Sequence, residues 1–182
     1  MRSSLYLLAL LAPLAMVAPT VAQEATPAPT PSTLPGGANS LNEAHGDWTV
    51  SCAMAGGKKD CILTQALGDN QTGQRVLALE LAMTENNDAE GMLLAPFGLR
   101  LGEGIKLGLD GRDLGTPRPF YTCIATGCLV PIQFDAAALA VLKAGSKLEV
   151  NAASANNGEP IKLSLSLTGF TAAVDRVVAL SK

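Results

Sequence analysis

Ile161-Lys162-Leu163-Ser164-Leu165-Ser166-Leu167-Thr168 alternates apolar and polar side chains without a break. Successive side chains of a strand point to opposite faces, so this run hides Ile161, Leu163, Leu165 and Leu167 and shows Lys162, Ser164, Ser166 and Thr168 to water. A helix would scatter the same residues around its axis. The chain just before it repeats the pattern with Leu148, Val150 and Ala152, and Asn156-Asn157-Gly158 between the two runs predicts a hairpin.

Working towards the amino terminus, the same period recurs. Gln74 to Met83 sets Leu77, Leu79, Leu81 and Met83 against Ala78, Glu80 and Ala82. Trp48 to Ala53 places Trp48, Val50 and Cys52 on one face, Gly56-Gly57-Lys58 reads as a turn, and Asp60 to Leu67 as the returning strand. Glu85 to Gly91 is polar and reads as a loop, and Met92–Ala95 and Leu99–Leu101 are short apolar pieces around Pro96 and Gly98. Ile105, Leu107 and Leu109 form a further strand ended by the turn dipeptide Asp110-Gly111. Phe120–Cys123 and Cys128–Ile132 flank Ala125-Thr126-Gly127, another tight connection.

Phe134 to Ala144 reads as a helix, with Asp135 in its first turn and Gly145 as the stop; Phe170 to Leu180 reads as a short closing helix. About eight or nine short strands with frequent turn signals predict a mostly β fold, a single antiparallel sandwich- or barrel-like domain with one or two short helices.

The amino-terminal end has another character. Arg2, the apolar run Leu5–Val17 and the small residues Thr20-Val21-Ala22 read as a secretory signal peptide over 1–22, cleaved before Gln23. The run is broken by Pro13 and Pro19 and is shorter than the roughly 18 to 20 apolar residues of a spanning helix. Residues 23–40 carry Pro27, Pro29, Pro31 and Pro35 among Ala, Thr and Gly and read as a linker. Residues 41–182 remain for a disulfide-stabilised β domain, enough for one core. Loss of Arg2 with the signal leaves 12 Lys and Arg against 16 Asp and Glu, a net charge near −4. No basic stripe marks a nucleic-acid surface, and no transmembrane segment follows in the mature chain.

Export places Cys52, Cys61, Cys123 and Cys128 in an oxidising compartment, where an even count reads as disulfides. Three connectivities are possible. The short gaps favour Cys52–Cys61 and Cys123–Cys128, each closing a loop worth roughly 2 to 3 kcal/mol in the chain-entropy model. A four-thiolate zinc site is the rival, but its usual Cys-x2-4-Cys spacing is absent from the first pair.

No other group announces chemistry. Asp110, Arg112, Asp113 and Arg118 read as a solvated turn rather than an acid/base cluster. His45 has no Asp or Cys nearby to orient it and reads as exposed. There is no Gly-x-Ser-x-Gly elbow, and Gly102-Glu103-Gly104 lacks the context of a phosphate loop. Catalytic, cofactor-binding and metal-binding residues are therefore expected to be none. Trp48, the lone tryptophan, is expected in the core beside a disulfide.

Trp48-x3-Cys52-x8-Cys61, Gln65, Leu109-Asp110, Pro119-Phe120-x2-Cys123-x3-Gly127-Cys128, the helix ending near Gly145, and Gly169-Phe170 occur in the order found in the invasion-associated locus B family. The chain resembles that family from about Asp47 to Leu180; the Pro/Ala/Thr linker is not part of the shared pattern. The resemblance implies a small exported alphaproteobacterial protein, in a family named after a member linked to host-cell invasion, and it implies no catalytic residues. The expected function is a non-enzymatic binding module, periplasmic or at the cell surface, whose partner is an unknown protein or envelope component. An envelope hydrolase and a structural or stress-tolerance protein are the alternatives.

Overall fold

Short turns between alternating runs set the topology. In the computed structural model, which describes residues 33–181 apart from 69, 70, 72 and 74, β1 (Ser40–His45) turns through Gly46-Asp47 into β2 (Trp48–Ala55). Gly56 and Gly57, with φ of 58° and 80°, then turn β2 into β3 (Lys58–Gly68). Two consecutive residues at positive φ match the right-handed twist of the flanking strands, and glycine reaches that conformation without strain. After β4 (Arg75–Met83) and β5 (Ala89–Ala95) the chain leaves this sheet for β6 (Lys106–Leu109) and β7 (Arg112–Asp113). It returns through β8 (Thr122–Ile124) and β9 (Gly127–Phe134). Helix α1 (Ala136–Lys143), β10 (Lys147–Ala153), β11 (Pro160–Ser166) and α2 (Phe170–Leu180) complete the fold.

The strands form two open antiparallel sheets, one of seven strands in the order β1-β2-β3-β4-β5-β9-β8 and one of four in the order β11-β10-β6-β7. The larger sheet buries one face. Cross-strand neighbours Gln65, Leu79, Leu93 and Val130 are 4%, 1%, 0% and 0% exposed. Opposite them, Leu107, Leu148, Val150 and Leu165 of the smaller sheet join the same core. Helix α2 packs on β1 to β4 with Phe170, Ala173, Val174 and Val177, whose spacing puts them on one stripe. The result is a mostly antiparallel, sandwich-like β domain. Each large side chain sealed in it contributes about 1.5 to 3 kcal/mol of hydrophobic stabilisation.

The structure departs from the sequence reading at several places. The signal-peptide reading, and the linker reading up to residue 32, lie outside the described residues. Leu34, counted with the linker because of its neighbours, is 1% exposed and belongs to the core. Ser40, the last residue of that stretch, opens β1, a strand that continues into the domain as far as His45. The loop expected over Glu85–Gly91 is shorter, because β5 begins at Ala89; a Cβ at Gly91 would sit 1.8 Å from the Glu80 carbonyl oxygen, so this glycine lets β5 lie close against β4 in the ladder rather than forming a turn. Leu99 makes only an isolated bridge to Ser154, and Leu101–Glu103 is a 3-10 turn. Phe134 ends β9 instead of starting α1; Asp135 caps that helix by accepting from the Ala138 N–H at 2.7 Å.

Candidate interaction surface

The sulfurs of Cys52 and Cys61 are bonded across the directly opposed residues of β2 and β3, and those of Cys123 and Cys128 across β8 and β9. Both bonds close hairpins the chain already forms. Cys52, Cys61 and Cys128 are buried, whereas Cys123 is exposed on the edge strand β8.

Around the first bond the resembling residues interlock. The Trp48 indole N–H donates to the Ser166 carbonyl at 2.9 Å, and its ring meets that of Phe170 at a centroid distance of 5.0 Å. The Gln65 amide donates to the same carbonyl at 2.9 Å and to the Asp47 carbonyl at 3.2 Å. Gly169, at φ 85°, crosses the β1–β2 turn so closely that a Cβ would lie 1.9 Å from the His45 carbonyl oxygen. These groups staple the end of β11 and the start of α2 to the β1–β2 turn. Their chemistry is packing and hydrogen bonding.

Asp110, Arg112, Asp113 and Arg118 do not converge. Asp110 sits in the turn at φ 49° and accepts from the Ser146 N–H at 3.0 Å. Arg112 and Asp113 lie exposed on β7, and Arg118 makes an isolated bridge to Ile105, just before β6. His45, read as exposed and without an Asp or Cys to orient it, is instead half-buried, with Nε2 3.4 Å from Oε2 of a glutamate, Glu43. Glu43 accepts two short bonds from Arg176 of α2, at 2.6 and 2.7 Å. Those bonds, ahead of the smaller contribution of His45, hold the Glu43 carboxyl below its ordinary range. Glu43 sits at i−2 to His45, on the same strand face, which is the sequence signal for the contact. Among the described residues no three His, Cys, Asp or Glu side chains come together as metal ligands.

The surface that stands out is the other face of the seven-stranded sheet. Ala66 faces Ala78, Ala78 faces Leu94, Leu94 faces Leu129 and Leu129 faces Thr122, a continuous row across β3, β4, β5, β9 and β8. The next row holds Thr64, Glu80, Met92 and Pro131, and the one after it Ile62, Ala82, Glu90 and Gln133. The period of two places all of them opposite the core, and among the described residues no helix or second sheet packs on this side. Met92 is 40% exposed, and Leu94 and Ala78 lie almost buried between their neighbours. The three rows contain no Lys or Arg. Glu90 accepts weakly from Gln133 at 3.5 Å, and Glu80 has no cationic partner among the described residues. The surface runs on towards the β8–β9 hairpin, where Ile124 is exposed and Leu101, Phe120 and Tyr121 line a shallow cavity of about 300 Å³.

The clasp of Trp48, Gln65 and Gly169 and the two disulfided hairpins carry the residues that identify the chain. It belongs to the invasion-associated locus B family. The family described as "Invasion associated locus B (IalB) protein" matches residues 48–178. The chain is 42% identical over 151 residues to an invasion protein B homolog of Brucella abortus (strain 2308), covering 83% of this chain and 87% of the relative. It is 33% identical to invasion protein B of Bartonella bacilliformis over the full length of both. The crystal structure of invasion associated protein b from Bartonella henselae matches with a TM-score of 0.72 and 31% identity, over 77% of this chain and 96% of that one. The family match thus extends from β2 through the remaining strands of both sheets and into α2, to within a few residues of the helix end.

Proposed function

We propose that the mature chain is an exported, non-enzymatic binding module of the cell envelope that recognises a protein or envelope component through the open face of its larger sheet. The observation that carries this reading is the cross-strand apolar row Ala78, Leu94 and Leu129 with Met92 beside it, on a face no described element covers. Water-facing sheets ordinarily alternate polar residues outward, so an apolar stripe there marks an interaction surface. Two disulfides stiffen the hairpins β2–β3 and β8–β9 within the same sheet, which supports a preformed surface and an oxidising location, periplasmic or outside the cell. The relatives named invasion protein B are compatible with a partner on a host cell.

The test is affinity capture from envelope and host-membrane extracts, with the wild-type mature chain and Met92→Lys compared side by side. A species retained by the first and lost by the second is expected. Equal retention by both, or turnover of peptidoglycan, ester or peptide substrates abolished by one Asp, Glu or His substitution, would overturn the reading.

A further inference from the structure

We infer that the occupant of the open sheet face is a short cationic amphipathic helix of a protein partner; this rests on the binding reading above and names the chemistry of its ligand. Size comes first. Five strands at about 4.8 Å and three rows about 7 Å apart give a face roughly 20 Å by 14 Å, on the order of 300 Å². A second copy stacked on it would bring its own Glu80 and Glu90 to a patch that already holds two carboxylates and no cation in its three rows. A helix is about 10 Å wide and rises about 5.4 Å per turn, so some three turns fill the same face.

Charge then selects the kind of helix. The centre is apolar, with Met92, Leu94 and Leu129, while Glu80 and Glu90 stand exposed on the same face with no cation in the three rows. A partner with an apolar stripe lays it on the centre, and Lys or Arg flanking the stripe reach the two carboxylates. An acidic helix or an anionic lipid surface would meet like charge there. Strand addition is a poorer fit on this side, because the adjoining edge strand β8 has only three residues, Thr122–Ile124.

The probe is an amidated Leu/Lys peptide patterned as an amphipathic helix, with a matched Leu/Glu peptide as control. Binding to the full mature chain is followed by titration and by backbone amide shifts. The Leu/Lys peptide is expected to bind in a salt-dependent manner and to shift the amides of Ala78, Met92, Leu94 and Leu129, and the Leu/Glu peptide to bind at least about tenfold more weakly. Double replacement Glu80→Lys with Glu90→Lys, on strand positions already exposed, is expected to reverse that order. Shifts confined to other surfaces, an order unchanged by the double replacement, or sedimentation showing self-association through this face would each overturn the inference. A partner captured in a Met92-dependent way without any preference for the Leu/Lys peptide would leave the binding reading standing and sink this one.

Discussion

Gly169, Trp48 and Gln65 show how the residues that place this chain in its family serve its packing. Gly169 passes the His45 carbonyl with no space for a Cβ, and Trp48 and Gln65 both donate to the Ser166 carbonyl that precedes it by three residues. Each is required by the junction of β11, α2 and the β1–β2 turn. Gly169→Ala forces a left-handed φ on a residue with a side chain and drives that side chain into backbone, so it is expected to lower stability by more than about 3 kcal/mol or to prevent folding. Gly56→Ala is the matched control: its φ is 58°, but nothing lies within 4 Å of the added Cβ, so only the backbone cost of roughly 1 to 2 kcal/mol applies. Denaturant unfolding of the two variants separates crowding from conformational strain. Equal losses would show that the close crossing at His45 does not exist.

At the scale of elements, the strands with alternating apolar runs were legible and those without were not. Ile161–Thr168 corresponds to β11 as far as Ser166, and Gln74–Met83 to β4 from Arg75 onward, because only one face of each is sealed in the core. Strand β1 was hidden because its pattern is polar: Leu41 packs partly on the core, but Glu43 on the same face is held by Arg176 rather than by hydrophobic contact. A carboxylate that stabilises through a partner loses that contribution on protonation. The folded Glu43 pKa lies below its ordinary value of 4.5, so the contribution is complete above that pH and is lost as pH falls through the lowered folded value. Glu43→Gln is accordingly expected to melt below the wild type at pH 7, with the gap narrowing in acid below about 4.5; a gap constant across that window would exclude the pair as its cause. The local cysteine pairing is an element-scale proposal too, since each bond spans one hairpin. Cys52→Ser is expected to leave Cys61 as the free thiol and to cost roughly 2 to 5 kcal/mol. Non-reducing peptide mapping that joined Cys61 to Cys123 or Cys128 would refute it.

On the scale of the whole molecule, the question is which side of the seven-stranded sheet faces water, and the sequence alone leaves it open. Central strands read similarly when both faces are apolar whether the second face is covered by a layer of the same chain or waits for a partner. Leu93 and Leu94 are adjacent leucines, and Leu129 and Val130 adjacent aliphatics, so no alternation tells which of each pair is inside. That is why the candidate surface was not legible, while the compact cysteine hairpins were. The pairing register decides the matter: Leu93 stands with Leu79 and Val130 towards the second sheet, and Met92 with Glu80 and Pro131 on the other side. Two neighbouring substitutions therefore have opposite outcomes. Leu93→Lys puts an ammonium into a position with 0% exposure and no acidic partner, and is expected to cost about 4 kcal/mol or more, enough to unfold many domains of this size. Met92→Lys adds a cation beside Glu80 on a face 40% open at that residue, and is expected to stay within about 0.5 kcal/mol of the wild type while abolishing partner capture. Thermal unfolding and capture measured on both variants test the assignment together. If Met92→Lys unfolds the protein as Leu93→Lys does, the outer face is covered in the folded chain and cannot be the surface through which it binds.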